Sequence, residues 1–157
     1  NSCQKAWLSL MRKKLGLFGE KKDDEKNIGN WLKLMQANHM DFTNTFRALI
    51  SDEIPEGEKF NTKEFRNWWH SWKERLNNNS KPLKSSLCLM RSQNPSVIPR
   101  NHKVEEALSA AEELGDFNFL HKLLEAISKP YEDNQLYDDY KNPPKPEERV
   151  YQTFCGT

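Results

Sequence analysis

No run of apolar residues in this 157-residue chain approaches the roughly 20 that a helix needs to cross a bilayer. Neither sign of charge is in excess: 24 Lys and Arg stand against 23 Asp and Glu, a formal net charge of +1. Nucleic-acid scaffolds and polybasic membrane binders draw their affinity from surplus positive charge, so this balance argues against nucleic acid and membrane as partners. Cysteine is scarce: Cys3, Cys88 and Cys155 are odd in number and widely spaced, which is neither a disulfide framework nor a zinc pattern, and the expected compartment is a reducing cytoplasm. The six glycines are scattered, and Gly16 and Gly19 lack the lysine and strand context of a phosphate loop. No serine stands in a Gly-x-Ser-x-Gly elbow. His39, His70, His102 and His121 form no i, i+4 pair and have no Cys-x-x-Cys beside them, so no metal site is expected. No catalytic or cofactor-binding constellation is legible. A secretory leader is also not legible, because Arg12, Lys13 and Lys14 interrupt the first apolar pattern. The opening Asn1-Ser2-Cys3, without an initiator Met, gives the expectation of a segment cut from a longer protein.

What is present is helical periodicity almost everywhere, with no sustained strand alternation. Hydrophobic residues at 36% and charged residues at 30% suit a helix-rich protein with solvated outer faces and one ordinary domain's worth of core. A first helix holds Trp7, Leu8, Leu10, Met11 and Leu15, and Gly16 is its stop. The mixed charges from Glu20 to Lys26 read as a solvated connection to a second helix with Ile28, Trp31, Leu32 and Met35 inside. Asp41 is positioned to cap a short third helix carrying Phe42, Phe46 and Leu49. Pro55 and Gly57 mark a loop, and Asn61 with Glu64 resembles a capping box for the fourth helix. Pro82 suits the first turn of a fifth helix with Leu83, Leu87 and Met90, which Asn94-Pro95 closes. Asn101 is the expected cap of the sixth, and Gly115-Asp116 turns it into a seventh that Lys129-Pro130 ends, forming a helical hairpin. The fold expected is all-α: about seven helices in an irregular bundle over residues 1–130, then an extended arm over residues 131–157. Pro143, Pro144 and Pro146 forbid a long helix in that arm, and its tyrosines are spaced for docking, with one short helical turn near Gln135 to Tyr140.

Four places invite a functional reading. Trp68, Trp69 and Trp72 lie among Arg66, Lys73 and Arg75, as a base-stacking surface would, but with Phe65 and Leu76 they fill one wide face of a helix, which is the pattern of a core stripe. Cys88 sits between Leu87, Leu89 and Met90 and reads as a small buried hydrophobe. Arg100 and Asn101 stand on a stiff turn after Pro99, where Arg100 can hold either an internal carboxylate or an interdomain or ligand carboxylate. Cys155, two residues from the end, is either an unremarkable terminal residue or an accessible redox thiol.

Five stretches, taken in order, resemble one family. They are Lys14-Leu15-Gly16-Leu17, Asp41-Phe42-Thr43-Asn44-Thr45-Phe46-Arg47, Asn94 to Leu108, Gly115-Asp116-Phe117, and Tyr151-Gln152-Thr153-Phe154-Cys155-Gly156-Thr157. Together they resemble the C-terminal region of the selenoprotein O (SelO, YdiU) family. The resemblance implies a longer parent with a pseudokinase catalytic domain upstream that uses ATP and Mg²⁺ to attach AMP to Ser, Thr or Tyr hydroxyls of protein substrates. The catalytic, nucleotide-binding and metal-binding residues of that family are not found in this stretch. The resemblance further implies a redox role for the position of Cys155, a selenocysteine in some members, through a disulfide to the catalytic domain. The partners it implies are therefore that kinase-like domain and the parent's protein substrates. The rival reading from another class is a non-catalytic helical interaction module.

Overall fold

The structure, a computed structural model, describes residues 2–148. Among the described residues all the regular elements are helices: α1 (Ser2–Lys14), α2 (Asp24–Ala37), α3 (Phe42–Ala48), α4 (Lys63–Asn77), α5 (Leu83–Gln93), α6 (Asn101–Leu114), α7 (Asn118–Ser128) and the single turn α8 (Asp138–Lys141), with short 3₁₀ turns at Glu58–Phe60, Gln135–Tyr137 and Pro146–Glu148. The all-α expectation holds, and the short turn expected near residues 135–140 is α8 with the 3₁₀ turn before it. The chain forms two compact units, one ending at Asn94 and the other beginning at Pro95.

In the first unit, α1 pairs with α5 and α2 with α4. The centre of its core is aromatic. Trp31 is fully buried and stacks on Trp68 with ring centroids 4.1 Å apart, while Trp68 and Trp72 stack at 5.5 Å. Phe46 meets Trp31 edge-on at 6.1 Å. Each such pair is worth about 0.5–1.5 kcal/mol beyond area burial. Two indoles also use their N–H groups, Trp68 donating to Asn27 O at 3.1 Å and Trp72 to Leu15 O at 3.0 Å. The tryptophan stripe is therefore core, as its helical spacing indicated. Gly16 ends α1 at φ +70°, where a Cβ would lie 3.0 Å from Ser86 O and Met90 Cγ, so only glycine fits without a shift.

The caps correct two sequence expectations by one residue. Thr62, not Asn61, caps α4, its hydroxyl accepting from Phe65 N at 3.2 Å. Glu64 then falls at the second helical position and cannot close a capping box; Asn61 instead accepts a hydrogen bond from Arg66. Likewise Arg100 occupies the cap position of α6, and Asn101 is its first helical residue and is exposed.

In the second unit, α6 and α7 form the expected hairpin. Gly115 closes α6 in the left-handed conformation, Asp116 N donates to Ala110 O at 3.0 Å, and Asp116 Oδ1 accepts from Asn118 N at 2.9 Å. The segment before α6 is tied to the chain after α7: Ser96 N donates to Pro130 O at 2.6 Å and Ser96 Oγ to Asp133 at 3.0 Å. The described part of the arm then lies along the hairpin, with Lys103 Nζ 5.9 Å over the Tyr140 ring, and the nearby Glu125 carboxylate pushes the Tyr137 phenol above its ordinary pKa.

The overall charge balance conceals a division. Residues 1–94 carry 17 Lys and Arg against 11 Asp and Glu, a net +6, whereas residues 95–157 carry 7 against 12, a net −5.

Candidate functional site

Three of the stretches that carry the family resemblance converge in the first unit. Lys14 ends α1, Phe42 to Arg47 form α3, and Asn94 closes α5. Asn94 is completely buried, and its amide donates to Lys14 O at 2.8 Å and to Met90 O at 2.9 Å. Its backbone carbonyl accepts from Arg47 Nη1 at 2.8 Å, and Lys14 Nζ donates to Gln93 O at 3.1 Å. The Lys14 ammonium also lies 5.2 Å from the Phe46 ring centre and 5.5 Å from that of Phe42, and burial holds its pKa below the ordinary 10.5. Cationic side chains here cap the carbonyls at the C-terminal end of α5, where the helix dipole is negative. The nexus joins α1, α3 and α5, and the carbonyls and ring faces that its cations meet here fix the three helices to one another.

A second cluster was not legible as a site. The charge run from Glu20 to Lys26, read as solvated, contains Asp24, which is 1% exposed and opens α2. Its carboxylate accepts from Arg12 Nε at 2.7 Å, from Arg75 Nε at 2.7 Å and from Lys21 N at 2.9 Å. Burial alone raises the pKa of such a carboxyl, but the hydrogen bonds from Arg75, the Lys21 amide and Arg12 outweigh it and hold Asp24 below its ordinary 3.8. Arg75 is further engaged by Asn79 Oδ1 at 2.7 Å and by the Phe18 and Gly19 carbonyls at 3.2 Å. Asn79 in turn donates to Gly16 O and Ser86 Oγ, both at 2.9 Å. Two guanidinium groups from different helices thus clamp one carboxylate and fix the loop between α1 and α2. Arg12 is already shared with Glu20 at 3.2 Å, so this is a closed structural clamp.

The residues singled out from sequence fall as follows. Arg100 is buried, and its carbonyl accepts from Lys103 N at 2.9 Å and Val104 N at 3.0 Å, opening α6. Asn101 is exposed beside it, and both belong to the second unit. Cys155 lies outside the described residues. Cys88 is exposed rather than buried. Its apolar neighbours in sequence misled, because Ser86 and Met90 define the buried side of α5 and Cys88, about 200° from Met90 around the helix, faces away. Among the described residues no three His, Cys, Asp or Glu side chains come together in a way that could hold a metal ion. No described helix is long and apolar enough to cross a membrane.

Comparison with known proteins places these features. The family described as "Protein adenylyltransferase SelO" matches residues 1–128. A protein of Nitrosococcus oceani called "Protein nucleotidyltransferase YdiU" is 53% identical over 154 residues, covering 98% of this chain and 31% of the relative. Proteins of the same name from Alcanivorax borkumensis and from Clostridium botulinum (strain 657) are 51% and 50% identical, covering 98% and 96% of this chain and 32% and 31% of their own lengths. The chain therefore spans about a third of the length of these curated relatives. With Lys14, Arg47 and Asn94 meeting in one nexus and the family match running across both units, this chain belongs to the SelO family.

Proposed function

We propose that this chain is the helical C-terminal portion of a SelO-type protein adenylyltransferase. The longer polypeptide, on this reading, uses a pseudokinase domain to transfer AMP from ATP to Ser, Thr or Tyr hydroxyls of other proteins. The hydroxyl oxygen bonds to the α-phosphorus, the bond to the bridging oxygen breaks, pyrophosphate leaves, and the hydroxyl proton passes to a base or to solvent. The role assigned to this portion is to buttress that domain. The observation that supports the reading is the family match over residues 1–128 combined with coverage of only about a third of relatives named as protein nucleotidyltransferases. ATP and Mg²⁺ accordingly belong to the rest of the polypeptide.

Two finer assignments go with it. Cys155 serves as a redox position that pairs with a thiol of the catalytic domain, the two thiols yielding two electrons and two protons to an external disulfide. The buried Arg100, with Asn101, makes a structural or interdomain contact. The setting is the cytoplasm, with protein substrates as partners and neither nucleic acid nor membrane assigned. The test is incubation of this chain and of the full-length polypeptide with labelled ATP, Mg²⁺ and a protein substrate. Label transfer by the full-length protein and none by the chain alone is expected; robust transfer by the chain alone contradicts the division of labour. Repeating the full-length assay with and without reductant, against Cys155→Ala, tests the thiol, and identical behaviour throughout removes Cys155 from the mechanism.

A further inference from the structure

Among the described residues, the second unit leaves a row of apolar side chains exposed. At 100° per residue, Phe117, Leu120 and Leu124 follow one stripe of α7. In an antiparallel hairpin Leu108 of α6 comes to the same side. Phe117 is 54% exposed, Leu124 51% and Leu108 42%; Leu114, at the hairpin tip, is 79% exposed. Among the described residues the arm passes elsewhere, with Tyr140 against Lys103 on another side of α6. Large apolar side chains exposed together on one side of a hairpin suit an interaction surface better than a solvated one. The α6 border of the patch is acidic: Glu105 lies three residues before Leu108 and Glu112 four after it, so both flank it on the helix surface, and both are exposed. That border belongs to a unit with a net charge of −5.

We propose that this face of the α6–α7 hairpin is the docking surface for the additional two thirds of polypeptide that the curated relatives possess. The occupant presents an apolar patch bordered by Lys or Arg where it meets Glu105 and Glu112. Two observations select it: curated relatives about 50% identical to this chain extend far beyond it, and an apolar centre with a one-signed rim is the anatomy of a specific interface rather than of nonspecific association. The inference rests on the reading that this chain supports a larger enzyme and adds the surface through which it does so.

Side-chain footprinting read by mass spectrometry tests it directly, comparing the isolated chain with the full-length polypeptide. Labelling of Phe117 and Leu124 is expected to fall about tenfold in the longer protein. Unchanged labelling overturns the proposal. Protection already present in the isolated chain and rising with its concentration also overturns it, by assigning the face to a second copy. Leu124→Glu is expected to restore labelling of Phe117 in the full-length protein while leaving the unfolding temperature of the isolated chain unchanged. A similar loss of stability in both proteins overturns the proposal, since the face would then belong to the chain's own packing. Raised salt together with Glu105→Gln and Glu112→Gln is expected to weaken protection; indifference to both removes the basic rim. None of these readouts depends on AMP transfer. A protected face in a protein that transfers no AMP therefore sinks the functional reading alone, and an active protein with a fully labelled face sinks the docking surface alone.

Discussion

Replacing Asp24 by Ala removes the one carboxylate that both Arg12 and Arg75 hold. The Asp24 side chain is 1% exposed and the two arginine side chains 11% and 9%, so the variant strands cationic groups where water cannot fully replace the lost partner. Breaking a buried pair from one side costs about 3–5 kcal/mol. The lower half of that range is expected, because Arg75 keeps Asn79 and two carbonyls and Arg12 keeps Glu20. For a protein of this size the loss corresponds to a fall in Tm on the order of 10 °C. All five tryptophans lie in residues 1–94, so indole emission during urea or thermal unfolding follows the first unit selectively. Glu25→Gln, at an exposed neighbour of Asp24, is the control and is expected to change stability by less than about 0.5 kcal/mol. The pH dependence has a defined sign. The folded pKa of Asp24 lies below its ordinary 3.8, so its contribution is complete above about pH 4 and is lost as pH falls through the depressed value. The wild type is therefore expected to lose more stability below pH 4 than Asp24→Asn does. A loss under about 1 kcal/mol in Asp24→Ala, or identical acid limbs, refutes the clamp.

Other outcomes follow from the same geometry. Gly16→Ala is expected to cost roughly 2 kcal/mol or more, because positive φ and contacts at 3.0 Å act together, whereas Gly115→Ala, with positive φ but open space, is expected to cost about 1 kcal/mol; equal effects in denaturant unfolding contradict the packing at Gly16. Acrylamide is expected to quench the emission of Trp7, 40% exposed, and to spare that of Trp31, Trp68, Trp69 and Trp72; uniform quenching overturns the aromatic core. Cys88 is expected to react with a thiol reagent in the native state at the rate of an exposed cysteine, and protection until unfolding contradicts its placement.

The periodic parts of the fold were legible because a 3.6-residue apolar pattern reports a buried face without knowledge of its partner. Trp68, Trp69 and Trp72 illustrate this, as does the α6–α7 hairpin punctuated by Gly115. Cap positions slipped by one residue: at α4 the adjacent Asn61 and Thr62 can both accept and Thr62 does, whereas at α6 no side chain caps and backbone geometry alone puts Arg100 at that position. Asp24 escaped because its partners are 12 and 51 residues away, and a buried carboxylate inside a charge run has no local signature. Cys88 misled because apolar neighbours in sequence say less than angular position on a helix. The motif nexus was half legible: Lys14, Phe42, Arg47 and Asn94 stood out through family resemblance, but their meeting is a property of the packing.

The central claim is that this helical portion has no AMP-transfer activity of its own and is required by the part of the polypeptide that has it. The most direct measurement is label transfer from ATP by the full-length protein and by the same protein truncated before Asn1, each at equal concentration. The account predicts that truncation abolishes transfer or reduces it at least tenfold, with partial recovery when this chain is added back. Full activity of the truncated protein contradicts it.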